Sequence, residues 1–250
     1  MRVSSPSPAE LLQAWERGVG RSITTRALLL LVAACPDASP HALAQLSIGR
    51  RDGVLLSLRE ALFGPHLACM ADCPRCNERL ELSLLVADMR AEPPRFLGGG
   101  ASLALQVEGY DIEFRLPNSE DVLELEARQV RDVGAAKAAL FARCVLSVRR
   151  NDEMVDVDAL PPEAVNDVGA RMAASDPQAD TRLSLTCPGC GHAWLTRFDI
   201  ASFVWAEVDD WARRTLRDVH VLASAYGWRE GDILGLSTAR RQMYLDMVRE

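Results

Sequence analysis

The chain has 250 residues, of which 48% are hydrophobic and 25% are charged, and it carries a formal net charge of −7. This length suffices for one sizeable core or for two or three small modules. The acidic balance argues against nucleic acid or an anionic membrane as a partner, because either would require a basic face on the protein. The most apolar run, at 27–35, has nine residues, whereas a membrane-spanning helix needs roughly 20.

The cysteine count and the N-terminal residues indicate the cellular compartment in which the protein is expected to reside. The chain contains seven cysteines, and its first twenty residues include Glu10 and Glu16 where a signal peptide would be apolar. We therefore expect a cytoplasmic protein in a reducing environment. In that setting Cys-x-x-Cys pairs bind metal or do redox chemistry more often than they form structural disulfides.

Residues 1–66 are predicted to form an N-terminal helical region. Thr24 or Thr25 is expected to cap its second helix, and Asp52 is expected to cap the later helix VLLSLREALF. Gly64 and the proline after it are expected to end that helix.

Strand patterns begin after this region. In RLELSLLV apolar residues alternate with polar ones, as in a half-buried strand, and TRLSLT at 181–186 repeats the pattern. Each of these strands adjoins one Cys-x-x-Cys pair. Residues 67–90 together with 180–198 are therefore predicted to form the two hairpins of a split zinc ribbon.

Residues 91–179 are predicted to be an inserted domain that contains a β-hairpin and helices. The segment begins with a loop, AEPPRFLGGGAS, whose prolines and glycines mark a boundary. Two alternating apolar runs on either side of Glu108-Gly109 predict the hairpin. Three helices are expected to follow, beginning after Asn118, after Asp132 and at Pro162, and the second of them is expected to continue through Val148.

The cysteine pairs are the most specific pattern in the chain. CPRC, with Cys73 and Cys76, and CPGC, with Cys187 and Cys190, each place two thiolates on one tight turn. This is the separation that a tetrahedral zinc ion requires, and two such turns complete a closed four-thiolate site. We therefore expect one structural Zn²⁺ per chain, held by these four cysteines.

The residue after each cysteine pair suits such a turn. Gly191 can adopt positive φ without steric cost, and Asn77, at the equivalent place in the first turn, is the next most tolerant residue. Turns of this kind let backbone N–H groups point at sulfur. The entropy cost of closing a loop grows only logarithmically with its length, so the long insertion does not argue against a shared site.

Three other interpretations of the cysteines remain open. A thioredoxin-like redox pair would place a single Cys-x-x-Cys at a helix N-terminus, and a relic site would bind no metal. His192 could replace one sulfur, although it lies only two residues after Cys190. Cys69 has no counterpart in the second pair, and Cys35 and Cys144 are expected to be core residues.

No motif in the sequence indicates an enzyme. HExxH, the HxE pattern of zinc deaminases and the G-x-S-x-G nucleophile elbow are absent from the chain. The triple glycine at 98–100 lacks the Gly-Lys-Ser/Thr that a phosphate-binding loop requires. We therefore expect no catalytic residues.

Residues 199–250 are predicted to form a C-terminal helical region rich in aromatic residues. Trp205 lies off the apolar stripe of its helix, so that helix is expected either to be buried on two sides or to have a partner. Tryptophan, tyrosine and arginine are enriched in the hot spots of protein–protein interfaces. The candidate partner-binding residues are Trp205, Trp228, Arg240, Arg241 and Tyr244.

The C-terminal sequence DVHVLASAYGWREGDILGLSTARRQMYLDMV resembles that of the T-even-type baseplate hub assembly chaperone family, which occurs in contractile phages and phage-like injection systems. GRRDGVLLSLREALFG at 49–64, FRLPNSEDV at 114–122 and the two cysteine pairs support the resemblance. It covers about residues 45–250. The order of these pieces, with a long insertion between the cysteine pairs, is more specific than any one of them.

The resemblance implies a non-enzymatic factor that helps to build the hub of a contractile tail. It also implies hub, spike or tape-measure proteins as partners, without nucleic acid, membrane or a small-molecule substrate, and only the cysteines carry over as site residues. An α+β fold with a metal site suits a protein-binding role of this kind. The alternatives are a zinc-ribbon nucleic-acid-binding or transcription-related protein, which the acidic composition disfavours, and a thiol oxidoreductase.

Overall fold

The protein has the α+β fold that its sequence predicts, as seen in a computed structural model that describes residues 2–91 and 102–249. The predicted loop AEPPRFLGGGAS lies mostly outside the described residues. The helices are α1 (Pro8–Gly18), α2 (Ile23–Ala34), α3 (Pro40–Ala44), α4 (Ile48–Phe63), α5 (Val86–Met89), α6 (Ser119–Ala127), α7 (Val133–Cys144), α8 (Pro162–Ser175), α9 (Ile200–Tyr226), α10 (Glu230–Leu234) and α11 (Thr238–Arg249). The strands are β1 (His66–Asp72), β2 (Arg79–Leu85), β3 (Leu103–Val107), β4 (Tyr110–Phe114), β5 (Val145–Arg150), β6 (Glu153–Met154), β7 (Arg182–Thr186) and β8 (Ala193–Arg197).

The second helix begins earlier than the sequence predicted. Ser22 is its N-cap, and the side-chain oxygen of Ser22 accepts a hydrogen bond from the backbone N–H of Thr25. Thr24 is instead buried within the first turn, where its hydroxyl donates to Glu126 on α6 over 2.8 Å. The prediction of Thr24 or Thr25 as the cap is wrong because an equally good cap precedes them.

The fourth helix also begins before its predicted cap. Ser47 caps α4, so Asp52 lies inside the helix and is only 7% exposed. Asp52 accepts a hydrogen bond from the side chain of Arg51 over 2.8 Å. The predicted end is confirmed, because Gly64 is the C-cap of α4 with a φ of 85°.

The predicted hairpin of the inserted domain is confirmed, whereas the predicted long helix after it is wrong. Strands β3 and β4 pair around Glu108-Gly109, and the antiparallel sheet has the order β3-β4-β5-β6. Helix α7 ends at Cys144, and the chain continues as β5, in which Val148 lies opposite Ile112 of β4. Valine fits a half-buried sheet better than a helix, and β4 offers an edge for it to pair with.

The largest apolar core joins both ends of the chain. It contains buried residues of α2 and α4, such as Leu31 and Leu55, together with Val204 and Val208 from the first half of α9. The second half of α9 packs with α10, α11 and Leu12 in a second cluster. A third cluster lies between the β3-β4-β5-β6 sheet and α8.

Two segments of the inserted domain, one after its hairpin and one near its C-terminal end, contact the start of α4. Before α6, the backbone carbonyl of Pro117 accepts a hydrogen bond from Ile48 N over 3.1 Å. After α8, the carboxylate of Asp176 accepts hydrogen bonds from Ser47 Oγ at 3.0 Å and from Gly49 N at 2.8 Å. These bonds fix the insertion to the helical core independently of the cysteines. No helix among the described residues is long and apolar enough to cross a bilayer.

Candidate metal centre and partner-binding residues

The two cysteine pairs lie at the tips of two short antiparallel hairpins. Strand β1 pairs with β2, ending with Asp72 opposite Arg79, and β7 pairs with β8, ending with Thr186 opposite Ala193. Each turn between paired strands contains one Cys-x-x-Cys sequence. Each hairpin pairs residues that are close in sequence, and the two cysteine turns lie together although the whole inserted domain separates them along the chain.

The two turns have the same backbone geometry. Asn77 N donates to the carbonyl of Cys73, and Gly191 N donates to the carbonyl of Cys187, both over 2.9 Å. Asn77 has a φ of 59° and Gly191 a φ of 69°. Both residues therefore adopt the left-handed conformation that was expected of them, which glycine and asparagine tolerate best.

The four sulfurs form one compact cluster. All four Sγ atoms lie within 4.8 Å of one another, with Cys73 Sγ 3.7 Å from Cys190 Sγ and Cys76 Sγ 3.5 Å from Cys187 Sγ. These distances are far longer than the roughly 2.05 Å of a disulfide. Four sulfurs at 2.3 Å from a tetrahedral ion would be about 3.8 Å apart. The cluster therefore has the donor set and the spacing to hold a metal ion.

The electrostatics of the cluster also suit a cation. Burial raises the pKa of the Cys73 thiol, but hydrogen bonds from the backbone N–H groups of Arg75 and Cys76, together with those from the thiols of Cys76 and Cys187, outweigh burial and lower this pKa to about 7. The backbone N–H of Glu78 lowers the pKa of Cys76, but hydrogen bonds with neighbouring thiols and burial together raise it to about 12. A negative charge on one sulfur thus disfavours a negative charge on its neighbours. A bound cation would offset this repulsion between the thiolates.

The surroundings of the cluster are apolar on one side and open on the other. Cys73 and Cys187 are buried beside Leu80 and the half-buried Trp194, whereas Cys76 is exposed. His192 lies outside the sulfur cluster and stacks on Trp194, with ring centroids 6.0 Å apart. The structure thus gives the histidine a packing role.

The other three cysteines lie apart from this cluster. Cys35 and Cys144 are buried, as predicted, and Cys144 lies near the ion pair of Arg115 and Asp121.

Cys69 is half-buried in β1 and lines a cavity of about 360 Å³ between the two hairpins. A larger cavity of about 650 Å³ lies between α7 and α8. The sequence did not predict either cavity, because each is lined by segments distant along the chain.

Two of the five candidate partner-binding residues lie inside the protein. The ring of Trp205 packs against Gly18 and lies 4.9 Å from the Arg26 guanidinium, and only 6% of this tryptophan is exposed. Arg241 is also 6% exposed, and its Nε lies 3.6 Å from an oxygen of Asp218. The prediction that these two side chains face a partner is therefore wrong, and α9 is the helix buried on two sides.

The other three candidates lie at or near the surface. Trp228 and Tyr244 are half-buried and pack edge to face with ring centroids 4.8 Å apart. Tyr226 joins them, stacking on Trp228 at 4.8 Å, and is 39% exposed. Arg240 is exposed. The structure thus gathers an aromatic cluster where the chain turns from α9 towards α11.

Comparison with known proteins gives one match. The model of a family described as T4 bacteriophage base plate protein matches residues 10–205. This span includes both cysteine pairs and the inserted domain, whereas the C-terminal sequence at 218–248 lies beyond it. No curated protein and no solved structure matches the chain.

Proposed function

This chain belongs to the T4 bacteriophage base plate protein family, and from that premise we propose that it is an assembly chaperone or minor structural component of the baseplate hub. The machine would be a contractile phage tail or a phage-like injection system. The observation that carries the proposal is the family match, because it extends across both cysteine pairs and the domain between them.

The chain would act by binding other proteins of the baseplate, without catalysis. Hub, spike and tape-measure proteins are the proposed partners. The exposed apolar side chains of the C-terminal region, among them Tyr226, Met243 and Met247, support a binding role. A factor of this kind can cover an apolar surface of its partner until assembly buries that surface, since uncovered patches promote aggregation.

The metal in the cysteine cluster is proposed to be Zn²⁺, one ion per chain. The support is the set of four thiolate donors and the spacing of their sulfurs. Cys73, Cys76, Cys187 and Cys190 would all bind the ion, which leaves no coordination position for water. The ion would therefore stabilise the fold and would not take part in a reaction.

The position of the cluster suggests what the ion stabilises. The cysteine pairs immediately precede β2 and β8, and the inserted domain leaves the ribbon after β2 and returns before β7. An ion shared by both hairpins would therefore hold the two ends of the insertion side by side. The hydrogen bonds from α4 to Pro117 and Asp176 would also hold the inserted domain against the helical core.

The test of the function is an affinity purification of the tagged chain from its native host, with mass spectrometry, alongside purified mature particles. Recovery of hub, spike or tape-measure proteins supports the proposal. If the chain is missing from mature particles, it is a chaperone that departs, and if it is present, it is a structural component. Recovery of RNA polymerase or nucleic acid instead, or of no baseplate protein, would contradict the proposal. A tag-only strain is the control.

A further inference from the structure

Helix α7 is an apolar helix that the described part of the chain leaves largely uncovered. Its sequence is VGAAKAALFARC, and Cys144 is its only buried residue. Val133 is 68% exposed, and Leu140 and Phe141 are half-buried. Helices in proteins gain most of their stability by packing an apolar face against other elements. A partner that covers α7 would supply this packing.

The cavity of about 650 Å³ between α7 and α8 makes this surface a groove. Leu140 and Phe141 line it from α7, and Val165 and Met172 line it from α8. The 3₁₀ helix Val157–Ala159, which shortly precedes α8, also lines it. We call this cavity the α7–α8 groove, with α7 as one wall and the segment from the 3₁₀ helix through α8 as the other.

The two walls of the groove differ in charge. Helix α7 contains Lys137 and Arg143 and no carboxylate beyond its N-cap, whereas residues 151–175, up to the end of α8, contain six carboxylates and one arginine. Arg143 is already paired with Asp121 of α6. None of the six carboxylates makes an ion pair among the described residues. The α8 wall is therefore acidic, and Lys137 is the uncompensated charge of α7.

We propose that the α7–α8 groove is a dimer interface, in which the groove of one chain binds the same groove of a second copy. Lys137 and Asp158 line the groove from its two walls, and neither makes an ion pair among the described residues. A two-fold axis along the groove would stack α7 of each copy on the acidic wall of the other. Lys137 of one copy would then pair with Asp158 of the other, and this pair would form twice.

The opposite charges of the walls favour a second copy over a helix of another protein. A foreign helix would have to offer both a carboxylate to Lys137 and a cation to Asp158, at the spacing that the groove sets. A second copy supplies both groups through symmetry, so each charge in the interface meets its opposite. The contact involves no other protein, so it does not depend on the proposed function.

The shape of α7 also suits close contact with another helix. Gly134, Ala138 and Ala142 recur every four residues, so they lie along one side of α7, and all three are exposed. Residues this small let the backbone of a second helix approach closely. The half-buried Phe141 beside them would be covered on dimerisation.

Sedimentation velocity of the full chain between about 1 and about 200 μM tests the dimer. We expect a Kd on the order of 10 μM, because two short helices form an interface at the small end of the specific range. Ala138→Glu places a carboxylate in the groove and should weaken dimerisation at least about tenfold. The control, Ala170→Glu, makes the same change at an exposed alanine of α8 that does not line the groove. Melting curves verify that both variants fold.

Charge reversal tests the pairing between copies. Lys137→Glu and Asp158→Lys should each weaken the dimer, because each variant places like charges together. When the two variants are mixed in equal amounts, they should form a heterodimer as stable as the wild-type dimer, since every contact then joins opposite charges. Lys137 is the only lysine of the chain, so a carbodiimide should link it to Asp158 of the second copy in a covalent dimer.

Four results would overturn the inference. Wild type may remain a monomer at about 200 μM, which is well above the expected Kd. It may form a dimer that Ala138→Glu leaves unchanged, in which case another surface is used. The mixture of charge-reversal variants may associate no better than either alone. Finally, a monomeric wild type whose binding to a purified hub, spike or tape-measure protein is lost in Ala138→Glu would show that the groove binds a different protein.

Discussion

The side chain of Arg59 on α4 makes two parallel hydrogen bonds with the carboxylate of Glu207 on α9. Nε donates to Oε2 and a terminal nitrogen donates to Oε1, both over 2.8 Å. A further nitrogen of Arg59 donates to the carbonyl of Gly64, at the end of α4. Only 3% of the arginine side chain is exposed. One guanidinium thus joins an N-terminal helix, its C-cap and the long C-terminal helix.

Replacing Arg59 by methionine should destabilise the protein. The change keeps most of the side-chain volume, but it removes three hydrogen bonds and leaves the carboxylate of Glu207 without its partner. We therefore expect a loss of about 2–3 kcal/mol in the free energy of unfolding. Urea denaturation measures it. The control is Arg128→Met, which breaks the exposed pair of Arg128 with Glu124 on α6 and should cost less than about 0.5 kcal/mol. Equal losses in both variants would contradict the role assigned to Arg59.

Two glycines of α4 should respond in opposite ways to alanine. A Cβ atom at Gly49 would lie 2.3 Å from Oδ1 of Asp176 and 2.8 Å from the backbone nitrogen of Ala179. Gly49→Ala should therefore cost about 1–3 kcal/mol, because it displaces the turn that ends the inserted domain. A Cβ atom at Gly53 meets nothing within 4 Å, so Gly53→Ala should stabilise the helix by up to about 1 kcal/mol.

Thermal unfolding of these two variants gives the sign of each change. The pair is matched, because both glycines lie in the same helix and gain the same methyl group. If Gly49→Ala melts at or above the wild-type temperature, the close contact between α4 and Asp176 is not present in solution.

The buried carboxyl of Asp52 should make stability depend on pH. Burial raises the pKa of Asp52 from 3.8 to about 6, against the opposing effect of Arg51. The folded protein therefore binds this proton more tightly than the unfolded chain does. The stabilisation is present at low pH and is lost as pH rises from about 4 to about 6, with a total near 3 kcal/mol.

Asp52→Asn removes this titration, so it isolates the effect from those of other carboxyls. Between about pH 5 and about pH 7.5, the stability of wild type relative to the variant should fall by about 1 kcal/mol. Denaturation at several pH values measures this difference. A difference that stays constant, or that rises with pH, would contradict the raised pKa.

Removing a cysteine of the cluster should remove the metal. Cys73→Ser or Cys187→Ser leaves three thiolates, and structural zinc contributes on the order of 10 kcal/mol in isolated fingers. Here the apolar cores and the contacts of α4 retain part of the fold, so we expect a large fall in melting temperature without complete unfolding.

Elemental analysis of protein purified with a reductant checks the metal directly. We expect one zinc per wild-type chain. Cys69→Ser is the matched control, since Cys69 lies four residues before Cys73 but outside the sulfur cluster, and this variant should keep its metal. Well under half an equivalent of zinc in wild type, or an unchanged melting temperature in Cys73→Ser, would refute the site.

The features that the sequence predicted correctly depend on local chemistry. Asn77 and Gly191 fit the left-handed position of a cysteine turn, and the alternating strands beside them form the hairpins. Each of these features follows from a few adjacent residues, which explains why the sequence sufficed.

The features that the sequence missed depend on distant partners. The run from Val145 to Arg150 has enough apolar residues to continue α7, and only the edge of β4 makes it a strand. Trp205 lies off the apolar stripe of α9 and is nevertheless buried, because Gly18 of α1 leaves room for its ring. The sequence around Trp205 gives no indication that Gly18, almost 190 residues earlier, lies beside its ring.

The most direct test of a baseplate role is electron microscopy of particles from cells in which the gene for this chain has been deleted. We predict that these cells lack particles with complete baseplates, that wild-type chain restores them, and that the variant with Cys73→Ser and Cys187→Ser restores them poorly. Normal numbers of particles with complete baseplates, in the absence of the chain, would contradict a role in the baseplate.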